Sequence, residues 1–447
     1  VIPGIQNAAK IPELRRRAFF TLFMLMIYRV GVFVPVPGID AEKFKDMFDQ
    51  ASSTVFGMVN MFSGGAIENF SILALGIMPY ISVSIIMELL KKTVKHLEDL
   101  SNEGQAGRAV ISRYTRIGTI VLALLQGAFI SAGLQSQGLV TVAGPMFIVK
   151  TAITLAAGTA FVMWLGEQIT ERGIGNGVSL IITAGIIARM PSTLLQTLGL
   201  MNDGGINPTY MLGALIFGVA TVVFIVYVER SQRKIPVQYP RKVVSGRMMN
   251  QTATQHMPFK INSAGVIPPI FASALMFFPA TVAQMGNVEW INNYLSYLTP
   301  GSGYYELSFG ALIIFFTYFY TALMLDPNKI AEDLKKNGGF VPTVRPGKDT
   351  ADFFVKILNR LTLWGSIYLA LICILPQLYY EQIGISGFSY FFGGTAILIV
   401  VGVTMDLVSQ VQSHLLAKSY ESFLEKGAQK VRGASKATQV GGKLIRR

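Results

Sequence analysis

At 447 residues, with 51% hydrophobic and only 14% charged side chains and a mean hydropathy of +0.48, the chain has too little polar surface to fold as an ordinary soluble protein. A net charge of +13 with a pI near 9.6 would point a soluble chain toward nucleic acid, but here the charge has to be read against membrane topology first. The lone cysteine, Cys373, excludes an internal disulfide, and His96, His256 and His414 fall in separate polar segments without metal-ligand spacing.

In chain order, residues 11–17 form a short amphipathic lead-in whose Arg15-Arg16-Arg17 cluster suits anionic lipid headgroups. Apolar runs follow near 18–36, 72–90, 117–136, 144–166 and 178–198, then 209–228, 264–284, 307–325, 361–380 and 387–407. Each approaches the roughly 20 residues that a helix needs to cross about 30 Å of hydrocarbon. None alternates like a β-barrel strand, so the sequence predicts an all-α membrane protein with ten transmembrane helices. The first run lacks a small-residue cleavage site and continues into Pro35-Val36-Pro37-Gly38, so it is expected to remain an uncleaved span. Arg29, isolated within it, is expected to snorkel or to pair inside the bundle, and 40–50 reads as a polar outer loop.

The rest is organised around 55–92. A short apolar piece, Phe56 to Phe62, meets the breaker Ser63-Gly64-Gly65 and the polar Glu68-Asn69. A full-length run loosened by Gly76 and Pro79 follows. The short piece cannot cross a bilayer; it is either re-entrant or an interfacial anchor lying flat. Irregular backbone at membrane depth is tolerated only inside protein or beside a water-filled cavity, so the re-entrant reading implies a cavity here.

Of 38 Lys and Arg residues, all but Arg29, Lys43, Lys45, Lys150 and Arg189 fall on one side of these spans. The positive-inside rule makes that side cytoplasmic, with both termini on it. Two cytoplasmic connections exceed what a bundle needs. Residues 229–262 carry Arg230, Arg233, Lys234, Arg241, Lys242, Arg247 and Lys260 beside extended stretches, and 326–360 carry two short amphipathic helices, 327–336 and 350–360, around a tip at 340–347. They are ordinary positive-inside charge or docking sites for a large acidic partner, and their length favours docking. A five-plus-five division at about residue 200 would require inverted halves related by an axis in the membrane plane. The segments are then an N-terminal half, 1–200, a C-terminal half, 201–410, and a cytoplasmic tail, 411–447, disordered after Gly427.

No phosphate-binding loop, nucleophile elbow or paired-histidine motif is present, so neither an enzyme nor a cofactor is expected. Glu167 and Glu171 share a helix face and would be ion-coupling candidates in a secondary transporter, but capping and interface pairing also explain them. The second, seventh, eighth and ninth runs hold no ionisable group at their centres, which suits a passive conduit sealed by apolar side chains.

Several strings taken together resemble the bacterial SecY family, and the likeness extends over nearly the whole chain. They are Val34-Pro35-Val36-Pro37-Gly38-Ile39-Asp40, Met61-Phe62-Ser63-Gly64-Gly65-Ala66 and Ala74-Leu75-Gly76-Ile77-Met78-Pro79-Tyr80-Ile81. The run from Trp164 to Gly177, Ala264-Gly265-Val266-Ile267-Pro268, Arg345-Pro346-Gly347 and Phe392-Gly393-Gly394-Thr395 complete the set.

The resemblance implies an hourglass-shaped protein-conducting channel of two inverted five-helix halves in the bacterial inner membrane, passing unfolded preproteins and releasing transmembrane segments into lipid. It assigns a plug to about 56–70, including Phe56, Met58, Met61, Phe62, Ser63, Gly64 and Gly65. A pore ring maps onto Ile77, Ile81, Val178, Ile182, Ile270 and Ile399, with Val178 departing from the usual isoleucine. Ser82, Gln126, Asn262 and Phe278 would line a lateral gate, and Arg241, Lys242 and Arg345 would dock a SecA-type ATPase motor and the ribosome. Small SecE-type and SecG-type membrane subunits, signal-bearing preproteins and anionic lipids are the other implied partners. An ion-coupled transporter of small solutes remains the alternative, and a scaffold without a conduit is a third class.

Overall fold

The computed structural model describes residues 11–51, 60, 63–202, 207–239, 255–286, 302–382 and 393–416. A helix occupies each of the ten expected spans, and seven of the described helices are long and apolar enough to cross a membrane by themselves. Among the described residues the fold is all-α apart from one small hairpin.

Helix α1 (Pro12–Val32) opens on a proline, whose missing N–H is no loss in a first turn. The arginine cluster lies within it, so the lead-in is the start of the span itself. The polar outer loop expected at 40–50 is instead α2 (Ala41–Ala51). Phe44 and Phe48, four residues apart, share a helix face and are both buried, with the Phe70 ring edge-on to Phe44 at 5.1 Å. Charge on the opposite face made this segment look like a loop.

Helix α3 (Met78–Thr93) has 16 residues, about 24 Å at 1.5 Å per residue, too short for a full crossing. Residues 72–77 make up the difference as consecutive turns. Beyond α4 (Lys95–Asn102) come α5 (Gln105–Ser136), α6 (Pro145–Arg172) and α7 (Gly177–Asn202). The buried stripe of α5 recurs at every fourth residue from Gly107 through Ile111, Thr115, Thr119, Ala123 and Gly127 to Ser131. Mostly small side chains let backbones meet: a Cβ on Gly127 would lie 3.0 Å from the Ala152 Cα of α6.

The second group begins with α8 (Pro208–Arg230), capped by the Asn207 side chain, which accepts from the Thr209 N–H at 3.2 Å. Strands β1 (Gln232–Val237) and β2 (Gln255–Lys260) pair antiparallel from Gln232 opposite Lys260 to Val237 opposite Gln255. Then follow α9 (Ile267–Gly286), α10 (Gly303–Met324), α11 (Pro327–Lys336), α12 (Lys348–Gln382) and α13 (Gly394–Leu416). The expected helix at 327–336 matches α11. The separate helix expected at 350–360 is part of α12, because no breaker interrupts the apolar stripe from Phe354 through Ile357 and Leu358 into the span. Likewise α13 continues to Leu416, past the expected start of the tail at 411. The rest of the tail lies outside the described residues.

The hairpin and the turn between α11 and α12 form one unit. Gln238 and Phe340 exchange two backbone hydrogen bonds of 2.9 Å, above a shared core of Ile235, Val237, Phe259, Leu334, Val341 and Phe354. Across the bundle, α9 packs against α3, α5 and α10, which makes a seam between the two groups of helices.

Candidate functional site: an apolar waist, a vestibule and a clamped loop

Ile77 and Ile81 from the start of α3, Ile182 from α7, Ile270 from α9 and Ile399 from α13 are all buried within one cluster, and Val178 packs against it half-buried. The sequence spreads these six residues over more than 300 positions, yet the fold brings them together from both helix groups. Ile77 and Ile81 are one turn apart, as are Val178 and Ile182, so each pair faces the cluster from one side of its helix. Branched aliphatic side chains here pack without directional bonds.

A cavity of about 530 Å³ adjoins this waist, with Ile81, Val178, Ile182 and Ile270 among its walls. Ile267, Phe271 and Met324 extend the apolar wall, and Glu88, Arg116, Glu167 and Glu171 add charge to the rest of the lining. Arg116 Nε on α5 donates to Glu167 Oε1 on α6 at 2.8 Å, so Glu167 serves an interhelical ion pair. Glu171 is exposed at the end of α6. The two carboxylates therefore stand in different environments despite their shared helix face.

The loop at 63–71 occupies the other flank of the waist, contributing Ala66 to the cluster. Of the expected plug, Phe56, Met58, Met61 and Phe62 lie outside the described residues. Ser63, Gly64 and Gly65 begin a run of turns in which Ser63, Ala66 and Ser71 are buried. Its backbone is satisfied inside the protein, as irregular chain at this depth requires. The Gly65 N–H donates to the Asn60 carbonyl at 2.9 Å, Val36 N–H to the Phe70 carbonyl at 3.0 Å and Ile72 N–H to the Val34 carbonyl at 2.9 Å. Gly64 has φ of +66°, and a Cβ there would sit 2.8 Å from the Gly185 Cα of α7. Only glycine meets both demands.

Side chains clamp the same loop. The Tyr28 hydroxyl donates to the Ser63 carbonyl at 2.8 Å, and Arg29 Nη1 donates to the Gly64 carbonyl at 2.8 Å while its guanidinium lies 5.4 Å from the Phe33 ring centre. Arg189 on α7 pairs with Glu68. The sequence offered Arg29 a place inside the bundle as one of two readings, but did not join it to Tyr28, Glu68 or Arg189.

The expected gate residues are not brought into one contact. Ser82 Oγ donates to the Met78 carbonyl of its own helix at 3.1 Å, and Gln126 is half-buried on α5. Asn262 Nδ2 donates to Glu229 Oε1 at 2.6 Å and to the Gly265 carbonyl at 3.0 Å, groups of the same side of the seam. Phe278 lies on the α9 backbone, its side chain outside the described residues. Arg345 is exposed in the turn between α11 and α12, and Arg241 and Lys242 lie outside the described residues.

These features define a polytopic helical protein with an apolar waist between two helix groups, the architecture of a membrane channel. Solved structures agree on the fold. One described as the structure of a protein conducting channel has a TM-score of 0.64 at 19% identity, over 92% of this chain and 96% of that one. Sec61 from a canine ribosome-channel complex has a TM-score of 0.61 at 19% identity, with the same coverage. The SecY family model matches residues 71–408. The protein translocase subunit SecY of Vibrio cholerae is 45% identical over 93% of this chain and 95% of its own length, and that of Thermus thermophilus is 44% identical over 96% and 98%. The chain belongs to the SecY family.

Proposed function

We propose that this chain is the pore subunit of a bacterial protein translocase, passing unfolded preproteins through the waist and releasing apolar segments sideways along the seam. The observation that carries the proposal is the convergence of six apolar side chains from both helix groups between a cavity and a clamped loop. A ring of branched aliphatic groups deforms around a passing chain and offers it no hydrogen bond, while a dewetted constriction resists ions when empty.

In this reading the two groups are inverted halves, at 1–200 and 201–410, and the loop around 56–70 is a plug. The seam of α3 and α5 against α9 and α10 is the gate. Ser82, Gln126, Asn262 and Phe278 belong near it, with Asn262 held through Glu229 on its own side. The hairpin and the α11–α12 turn form the cytoplasmic platform, on which Arg345, Arg241 and Lys242 engage a SecA-type motor or a ribosome. Both termini are then cytoplasmic, SecE-type and SecG-type subunits complete the complex in the inner membrane, and a partner supplies the energy.

The test places a single cysteine at Ile270 in a Cys373→Ala background, in reconstituted membranes holding an arrested secretory chain and its motor. A crosslink that needs both signal sequence and ATP is expected. With the motor bound and the chain engaged, no crosslink at Ile270 or Ile399 would sink the proposal. Arg345→Glu is expected to lower motor-driven export at least tenfold while the complex stays assembled, since a rim charge acts mainly on docking. Normal export by that variant would count against the platform.

A further inference from the structure

Two arginines inside apolar spans close on one loop from two different helices. Arg29 of α1 holds the Gly64 carbonyl, and Arg189 of α7 holds the Glu68 carboxylate. Glu68 is the one carboxylate between Asp49 and Glu88 in the sequence. It also accepts from Asn60 Nδ2 at 3.3 Å, while its N–H donates to Asn60 Oδ1 at 3.1 Å, so the partner of Arg189 is joined to Asn60 as well. Against the Arg189 side chain lies Gly65, where a Cβ would come within 3.2 Å of Nη1.

The pair is partly desolvated: the Arg189 and Glu68 side chains are 20% and 27% exposed. An ion pair so placed is stronger than one in open water, and a cation within an apolar span is costly when it loses its partner.

We propose that Glu68 and Arg189 are positioning residues which, with Arg29, latch the 63–68 loop onto α1 and α7 and set the threshold for unsealing the channel. The inference deepens the channel reading and rests on it. Unseating the loop strips Arg189 of its carboxylate and Arg29 of its carbonyl acceptor, so resistance to opening comes from two stranded cations in addition to lost apolar contact. A signal sequence has to supply that energy before the waist can be entered.

The experiment reconstitutes the full complex in vesicles and measures substrate-free ion leak and preprotein transport. The variants are Glu68→Gln, Arg189→Gln and the exchanged pair Glu68→Arg with Arg189→Glu. Each neutralised variant is expected to leak about fivefold more than wild type, and the exchanged pair to return within about twofold of it. Restoration by the reversed pair separates a latch from a misfolded loop, which charge exchange would not repair. Unchanged leak in both single variants, or an exchanged pair as leaky as the worse single, overturns the latch. Normal transport alongside flat leak removes the latch alone. A wild type that transports no preprotein, yet whose leak follows the charges, keeps the latch as a seal and removes the polypeptide reading.

Discussion

The waist and the loop beside it are neighbours in one cluster but are held by opposite physics. Ile77, Ile81, Ile182, Ile270 and Ile399 meet through non-directional contact that tolerates changes of shape. The loop is fixed by directional bonds from Tyr28, Arg29 and Arg189, together with a glycine backbone that no other residue can follow. A barrier of the first kind yields gradually as something presses through it. The second kind holds until several bonds break together, so in the proposed channel the waist would act as a gasket and the loop as a catch.

Gly64→Ala should break this contrast most severely. It adds a side chain at φ of +66°, costing roughly 1–2 kcal/mol. Its Cβ would lie 2.8 Å from the Gly185 Cα, where overpacking costs about 1–3 kcal/mol more because backbone cannot step aside. Thermal unfolding of the purified complex should shift down and substrate-free leak should rise; a variant with unchanged melting and leak would mean the loop is not wedged against α7. Next comes Ile270→Asn, which puts an amide into the waist at a cost of about 1–3 kcal/mol if it finds no partner. Leak and export of chains with defective signals should both rise while the loop stays seated. Failure of either to change would show that the waist is packing and nothing more.

How much of this was legible before the fold was known follows the same division. The ten spans and the apolar cluster could be read, because hydropathy and i, i+4 spacing are local and a family likeness supplied the convergence. The basic protrusions were visible as charge, though α12 ran on through what looked like a loop helix. The clamp was not legible, since Arg29, Glu68 and Arg189 are separated by up to 160 positions and each has an ordinary explanation alone. The bond from Asn262 to Glu229, at the end of the preceding helix, was not legible for the same reason; the family likeness placed Asn262 at the gate by position alone.

Tyr28→Phe sharpens the contrast more gently. It removes the donor to the Ser63 carbonyl and leaves the ring in place, costing about 1 kcal/mol. Leak should rise by a factor of a few, and less than for either neutralised ion-pair variant. A larger rise than Arg189→Gln gives would move the main restraint from the charge pair to the hydroxyl.

The smallest effect should come from Val178→Ile. Val178 is half-buried, touching the waist on one side and the cavity of about 530 Å³ on the other. An added methyl group therefore has room to turn toward the cavity, and the usual penalty for overfilling a core is absent. Melting should change by less than the cost of one methylene, about 0.8 kcal/mol in either direction, with leak slightly lowered as the waist closes further. Tyr28→Phe and Val178→Ile differ by one oxygen and one carbon, a hydroxyl lost and a methyl gained. If the conservative apolar change proved the more disruptive, the waist would be a tightly fitted joint, and it could not be the compliant partner of a directional catch.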